Sequence, residues 1–177
     1  MIKPPQKIIL DYKKLAKIIN AHRTLGQKIV CTIGSWDMLH IGHLRYLCKA
    51  KKLGDILVVG VDSDRDIKIY KKNSLRPVIP QDERMEMLSY QTFVDYITLI
   101  DDVDKKGRWQ MELIKVIRPD IFVATKESYP DEQRKQIAKF CGYLKILPRQ
   151  ATETSTTEII ERTFKKRLEY ILNHTKL

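Results

Sequence analysis

Two histidines, His40 and His43, stand three residues apart in the stretch GSWDMLHIGHLRYL, which covers residues 34–47. Imidazoles at this spacing suit three uses: ligating a metal ion, donating hydrogen bonds to phosphate oxygens, or capping and packing a helix. A zinc site needs three or four ligands. The two other histidines lie in terminal segments and the three cysteines are scattered, so no metal site is predicted. The choice lies between a phosphate site and a pair of helix-capping histidines.

The residues around the pair favour phosphate. An apolar segment at 28–34 predicts a strand that ends at Gly34, and a helical pattern follows within a few residues. A helix N-terminus offers free backbone N–H groups and the positive end of the helix dipole, which together bind phosphate. Gly42 removes a side chain that would collide with a ligand there. The pattern is neither the G-x-G-x-x-G of dinucleotide-binding proteins nor a P-loop.

Two other segments carry side chains that suit phosphate. Lys68, Lys71 and Lys72 lie in a basic segment at 67–80 that we interpret as a loop. From charge alone, a solvated charge cluster is the better explanation of these lysines. The Ser/Thr run at 155–157 precedes a helical pattern and also suits an ordinary N-cap. The two uses are compatible, because both leave backbone N–H groups at the helix start.

Strand and helix patterns alternate along the chain, which predicts an α/β fold: a Rossmann-like, doubly wound parallel sheet of five strands with helices on both faces. One domain over 1–177 is expected, with a helical lead-in at 1–27 and a C-terminal helix at 158–177. Ligands of such sheets bind beyond the carboxyl ends of the strands, where the histidine pair falls. The expected strands are 28–34, 55–64, 94–100, 120–125 and 144–148, and the expected helices are 11–25, 37–54, 81–91, 109–118, 131–142 and 155–172.

The formal net charge of +11 calls for an anionic partner. Basic residues interleaved with exposed aromatic residues are typical of nucleic-acid binders and are not seen, so a nucleotide is favoured over nucleic acid. No apolar run is long enough to cross a bilayer, and the first residues lack the pattern of a secretory signal. The three cysteines form no CxxC pair, which favours free thiols in a cytoplasmic protein.

Three ordered motifs resemble one family. GSWDMLHIGH is similar to the G-x-F-D-x-x-H-x-G-H segment of the cytidylyltransferase-like nucleotidyltransferases, with Trp36 in place of the usual Phe. RPVIPQDERMEML at 76–88 and TSTTEII at 154–160 resemble later segments of that family. The lead-in at 10–30 resembles the branch that adenylylates D-glycero-β-D-manno-heptose 1-phosphate, whereas the glycerol-3-phosphate cytidylyltransferase branch begins closer to the first strand.

The resemblance implies nucleotidyl transfer, in which a phosphate oxygen of an acceptor attacks the α-phosphorus of a nucleoside triphosphate and pyrophosphate leaves. It favours ATP over CTP, a sugar phosphate as acceptor, Mg²⁺ arriving with the triphosphate, and a homodimer. Catalysis is assigned by resemblance to His40, His43, Lys68 and Lys71. Nucleotide binding is assigned to Ile33, Gly34, Ser35, Trp36, Gly42, Lys72, Lys126, Arg149, Ser155, Thr156 and Thr157.

Three other residues receive structural roles: Asp37 is expected to brace the turn after the first strand, and Arg76 and Arg84 to be anchors. The base and the acceptor stay open, because TKESYP at 125–130 departs from the Gly-Gly-Asp-Tyr-like loop of the heptose branch.

FMN is an alternative acceptor, since archaeal-type FAD synthases carry a segment that also resembles residues 76–84. Glycerol 3-phosphate with CTP is another, although Thr92 stands where that branch has a substrate-contacting arginine. The alternative from a different class is a nucleotide- or RNA-binding protein without activity.

Overall fold

The computed structural model describes residues 6–71, 75–151 and 153–174, and its centre is a parallel sheet of five strands. The sheet order is β3-β2-β1-β4-β5, which confirms the predicted architecture. The chain leaves β1 for β2 on one side and later returns to β4 on the other, so the topological switch point lies between β1 and β4. The strands are β1 (Ile29–Gly34), β2 (Ile56–Asp62), β3 (Tyr96–Ile100), β4 (Ile121–Thr125) and β5 (Tyr143–Leu147).

Helices cover both faces of the sheet. Helices α1, α5 and α6 contribute to one hydrophobic cluster, and α2 and α4 contribute to the other. Because both faces are covered, β1 and β2 are buried almost along their whole length. The helices are α1 (Tyr12–Thr24), α2 (Ile41–Lys51), α3 (Asp64–Lys71), α4 (Gln81–Ser89), α5 (Glu112–Ile117), α6 (Asp131–Ile137) and α7 (Thr156–His174).

Strand β1 shows how the sequence divides between the two clusters. Ile29, Cys31 and Ile33 belong to the cluster under α1 and α5, while Val30 belongs to the cluster under α2 and α4. Successive side chains of a strand point to opposite faces, so one run of apolar residues supplies both cores. The strand is thereby held on both sides, and its carboxyl end at Gly34 is a rigid platform for the turn that follows.

The prediction of a loop over 67–80 is wrong for its first part, because Lys68 and Lys71 lie on helix α3. The hydroxyl oxygen of Ser63 accepts a hydrogen bond from the backbone N–H of Asp66 at 3.0 Å, which caps this helix. Its first turn is acidic and its last turn basic, as the helix dipole favours. Lys72 lies outside the described residues.

Helix α2 is also shorter than predicted. It begins at Ile41 rather than at residue 37, since residues 36–38 form a turn in which Trp36 and Met38 have positive φ angles. Its buried face consists of Gly42, Tyr46, Leu47 and Ala50. Leu44 and Cys48, two further apolar residues of this helix, are only half-buried.

The helix expected at 11–25 is present as α1 (Tyr12–Thr24), and residues 7–9 before it are extended. Residues 7–9 run parallel to β3, with the N–H of Ile9 donating to the carbonyl of Ile97 at 2.8 Å. At the other end, α7 begins at Thr156, within one residue of the start of the helix expected at 155–172, and its description ends at His174. In the described part of the chain, no helix is long and apolar enough to cross a membrane.

Candidate active site

The turn between β1 and α2 is built around Asp37, whose side chain is fully buried. Its carboxylate accepts hydrogen bonds from the backbone N–H groups of Val78 at 3.0 Å and Ile79 at 2.9 Å. It also pairs with Arg76, whose Nε lies 2.6 Å from Oδ2. The predicted bracing role of Asp37 and the anchoring role of Arg76 are therefore confirmed.

Arg84 anchors the same turn from helix α4, and its side chain is fully buried. Its guanidinium donates to the backbone carbonyl of Ser35, which follows β1, and to that of Asp62, the last residue of β2. It also donates to the carboxylate of Asp64. Because one planar side chain joins three segments, the carboxyl ends of β1 and β2 are held in one arrangement.

His40 and His43 form a stacked pair at the start of α2. Their ring centroids are 3.9 Å apart with an angle of 27° between the planes. Nδ1 of His40 accepts the backbone N–H of Gly42 at 3.1 Å, so His40 is the N-cap of the helix. The His43 and Trp36 rings lie nearly perpendicular, at 74°, with their centroids 5.4 Å apart. His40 therefore has the helix-capping role that the sequence left open. Both histidine rings also line a cleft at the carboxyl ends of the strands.

Burial controls the protonation of the pair. Desolvation lowers the pKa of His43 to about 3, assisted by repulsion from His40 and Arg76. Desolvation and the nearby Arg149 also lower the pKa of His40. Both rings are thus neutral at pH 7 and offer N–H donors rather than positive charges. Nδ1 of His43 is buried and has no hydrogen-bond partner among the described residues.

The start of α7 faces the histidine pair. The hydroxyl of Thr156 donates to the backbone carbonyl of Asp37 at 2.7 Å, which ties α7 to the turn after β1. The hydroxyl oxygen of Ser155 accepts a hydrogen bond from the backbone N–H of Glu158 at 3.2 Å, so Ser155 is the N-cap of α7. Arg149 pairs with the first turn of α7, where its Nη2 lies 3.2 Å from Oε2 of Glu158. The N-termini of two helices, α2 and α7, therefore contribute residues to the lining of one cleft.

These groups line one cleft of about 580 Å³, a size within the usual range of small-molecule sites. Lys68 and Lys126 do not line it, and both are exposed. Lys68 follows the buried Ile67 on α3 and therefore lies on the solvent side of that helix. The predicted residues that do line the cleft are Ile33, Gly34, Ser35, Trp36, His40, Gly42, His43, Lys71, Arg149, Ser155, Thr156 and Thr157.

The cleft has further lining residues that the sequence analysis did not assign as site residues, although it connected the loop at 125–130 with the base and the acceptor. We call Asp62, Tyr70, Trp109, Glu127 and Tyr129 the acidic-aromatic half, since all five line the cleft. The Tyr70 hydroxyl donates to Oδ2 of Asp62 at 2.7 Å. Trp109 and Tyr129 stack with centroids 5.4 Å apart and an angle of 18°. The available signal in the sequence was the position of Asp62 at the carboxyl end of a buried strand. Tyr70 lies on helix α3, and Trp109 and Tyr129 lie in two separate loops, so no local pattern connects the three aromatic residues.

Charge divides the two halves. Arg149 and Arg76 lie close enough to the histidine pair to lower its pKa values, while Asp62 and Glu127 are the carboxylates of the acidic-aromatic half. Lys71 lines the cleft on the α3 side, with its ammonium 5.5 Å from the centre of the Tyr70 ring. The first half therefore suits a polyanion. Among the described residues, no group of three or more His, Cys, Asp or Glu side chains is placed to hold a metal ion.

A polyanion site at the switch point of a doubly wound parallel sheet is typical of nucleotide-binding α/β proteins. The chain belongs to the Cytidylyltransferase-like family, which matches residues 31–162. This finding confirms the family that the three sequence motifs indicated.

Relatives of the chain carry the name Bifunctional protein HldE. The relative from a Nitratiruptor species is 39% identical over 120 residues, covering 68% of this chain and 25% of the relative. The relative from Trichlorobacter lovleyi is 32% identical over 160 residues, covering 89% of this chain and 31% of the relative. The chain thus spans between a quarter and a third of the length of these two relatives.

A solved structure is also similar: the lipopolysaccharide core biosynthesis protein from Thermoplasma volcanium. It is 30% identical, with a TM-score of 0.55, and the match covers 70% of this chain and 97% of that one.

Proposed function

We propose that this protein is a nucleotidyltransferase that transfers AMP from ATP to a phosphorylated acceptor, a sugar phosphate, and releases pyrophosphate. The observation that carries the proposal is the convergence of the His40–His43 pair, Arg149 and the N-termini of α2 and α7 on one cleft. These groups are all hydrogen-bond donors or cations, and a triphosphate is the ligand that uses them together.

The chemistry requires no protein nucleophile. An acceptor phosphate oxygen, already ionised at pH 7, forms a bond to the α-phosphorus, and the bond from the α-phosphorus to the bridging oxygen breaks. The electron pair leaves with pyrophosphate, and no proton has to be transferred. The protein's task is to align the two phosphates and to stabilise charge on the α-phosphoryl and bridging oxygens.

The residues of the cleft have distinct tasks in this step. His40 uses Nδ1 to cap α2, so its proton lies on the other ring nitrogen and that N–H is free to donate. His43 donates from a neutral ring, and Arg149 contributes positive charge. Lys71 lines the same cleft, and its role in this proposal is to neutralise the acceptor phosphate. Mg²⁺ would enter with the triphosphate and supply further neutralisation of its oxygens.

The choice of AMP and of a sugar phosphate rests on resemblance. The lead-in helix α1 is the feature that resembles the heptose branch, and the relatives with matching sequences are HldE proteins. The solved relative from Thermoplasma volcanium is named as a lipopolysaccharide core biosynthesis protein, which supports carbohydrate chemistry. A homodimer and a cytoplasmic location remain predictions; light scattering of the purified chain tests the first.

The decisive experiment measures pyrophosphate released from ATP or CTP in the presence of an aldose 1-phosphate, glycerol 3-phosphate or FMN. We expect ATP with the aldose phosphate to be the fastest pair. His43→Ala should lower kcat by about a hundredfold, the usual loss when one donor to a transition-state oxyanion is removed. His174→Ala, which changes an exposed histidine on α7, is the matched control and should have no effect.

Other outcomes would identify the alternatives. Faster turnover of FMN, or of glycerol 3-phosphate with CTP, would assign the protein to those branches. Salt-sensitive RNA binding without any pyrophosphate release would favour the non-catalytic binding protein. Unchanged turnover in His43→Ala would remove the role assigned to that residue.

A further inference from the structure

The acidic-aromatic half of the cleft has chemistry unsuited to a triphosphate. Asp62 and Glu127 place carboxylates along it, and a carboxylate repels phosphate most strongly where water is partly excluded. The donors that favour a triphosphate lie on the histidine side, at the starts of α2 and α7. An in-line displacement needs both reactants in one cleft, and an acceptor rich in hydroxyl groups suits the acidic-aromatic half better than a triphosphate does.

The carboxylate of Asp62 is available for a ligand. Arg84 donates to the backbone carbonyl of Asp62, not to its side chain, so the anchoring of β2 leaves the carboxylate free. The Tyr70 hydroxyl occupies one of its oxygens at 2.7 Å. A carboxylate has about four lone-pair positions, so it can accept further hydrogen bonds from hydroxyl groups.

The surroundings of Asp62 disfavour its ionised form, so hydrogen-bond donors from a ligand would stabilise the carboxylate. Burial raises the pKa of this carboxyl to about 6, and the nearby carboxylates of Asp66 on α3 and Asp102 after β3 act in the same direction. Tyr70 and Arg84 act in the opposite direction. The group is ionised at pH 7 but poorly solvated, and a neutral hydroxyl donor relieves that state without adding a second anion.

The aromatic pair supplies the other contact. Trp109 and Tyr129 lie nearly parallel, and both line the same half of the cleft as Asp62. A flat aromatic surface beside hydrogen-bonding groups suits an amphipathic ring that has hydroxyl groups at its edges and C–H groups on its faces.

We propose that Asp62 and Trp109 form the acceptor subsite, and that they select a cyclic sugar phosphate whose hydroxyl groups donate to Asp62 while its ring lies against Trp109. The proposal rests on the proposed function and deepens it by assigning the acceptor specificity to named residues. Tyr70 acts as a positioning residue, because its hydroxyl orients the carboxylate.

The test compares the KM values of the two substrates in pyrophosphate release. In Asp62→Asn, the KM for an aldose 1-phosphate should rise about tenfold, the effect of losing a hydrogen bond to a charged group. The KM for ATP should stay within about twofold of the wild-type value, since the histidine side is unchanged. Asp101→Asn is the matched control: its carboxylate lies at the same edge of the sheet, after β3, but does not line the cleft, and both KM values should stay unchanged.

A second variant keeps the test informative if Asp62→Asn fails to fold. Trp109→Leu should raise the acceptor KM severalfold and leave the ATP KM unchanged. The inference is overturned if either folded variant leaves the acceptor KM unchanged, or raises the ATP KM instead, which would place the nucleoside in this half. It is also overturned if FMN or glycerol 3-phosphate outruns every sugar phosphate. If wild-type protein releases no pyrophosphate with any acceptor, the proposed function itself fails.

Discussion

Replacing Asp37 with alanine should destabilise the protein more than any other single carboxylate substitution near the cleft. The side chain is fully buried, and its partner Arg76 is 8% exposed, so the change leaves a buried guanidinium without its counter-charge. Breaking such a pair costs about 3–5 kcal/mol. The backbone N–H groups of Val78 and Ile79 lose their acceptor as well, which places the expected loss at the upper end of that range.

Urea unfolding followed by circular dichroism measures this loss. For a domain of this size, about 3–5 kcal/mol corresponds to a fall in Tm of about 6–20 °C. The control is Glu132→Ala, which removes the carboxylate of an exposed pair with Lys135 and should cost less than about 1 kcal/mol. Asp37→Ala combined with Arg76→Met should be more stable than Asp37→Ala alone, since no unpaired charge remains. If the double variant is instead less stable than Asp37→Ala, the ion pair is not the origin of the loss.

Three further predictions concern the loop and helix starts. A Cβ on Gly42 would lie 3.0 Å from the His40 ring, so Gly42→Ala should displace the helix cap and lower kcat with little change in Tm. Because the pKa of His43 is lowered to about 3, the unfolded chain binds a proton below pH 6.5 that the folded protein does not. The free energy of unfolding should therefore fall as pH decreases from 6.5, by at most about 1.4 kcal/mol per pH unit. Urea unfolding of His43→Gln should show a smaller fall over the same pH range. Thr156→Val removes the hydroxyl that donates to Asp37 and should raise the KM for ATP, whereas Thr156→Ser should retain the wild-type value.

The fold could be predicted from the sequence because its signals are local. The β-branched run that forms β1 is buried by alternation on both sides of the sheet, and the strand ends at Gly34, as the pattern indicates. The regular succession of strands and helices then leaves a parallel, doubly wound sheet as the consistent topology. Helix α3 escaped prediction, because its lysines obscured a short amphipathic segment whose signals are the Ser63 cap and the buried Ile67.

The histidine pair could also be located from the sequence, since His40 and His43 are neighbours on one turn of helix. Their chemical state could not. Neutral rings result from burial against Trp36 and from the charges of Arg76 and Arg149, and those residues come from separate segments.

The sequence by itself determined the order of the strands, the family and the position of the turn that carries the histidine pair, because each depends on residues close together in the chain. Only the tertiary structure decided which distant groups meet there. Thr156 reaches Asp37 across 119 residues, and Trp109 stacks on Tyr129 from a different loop. Such contacts depend on how several packed elements converge at the edge of the sheet, and no local periodicity records that convergence.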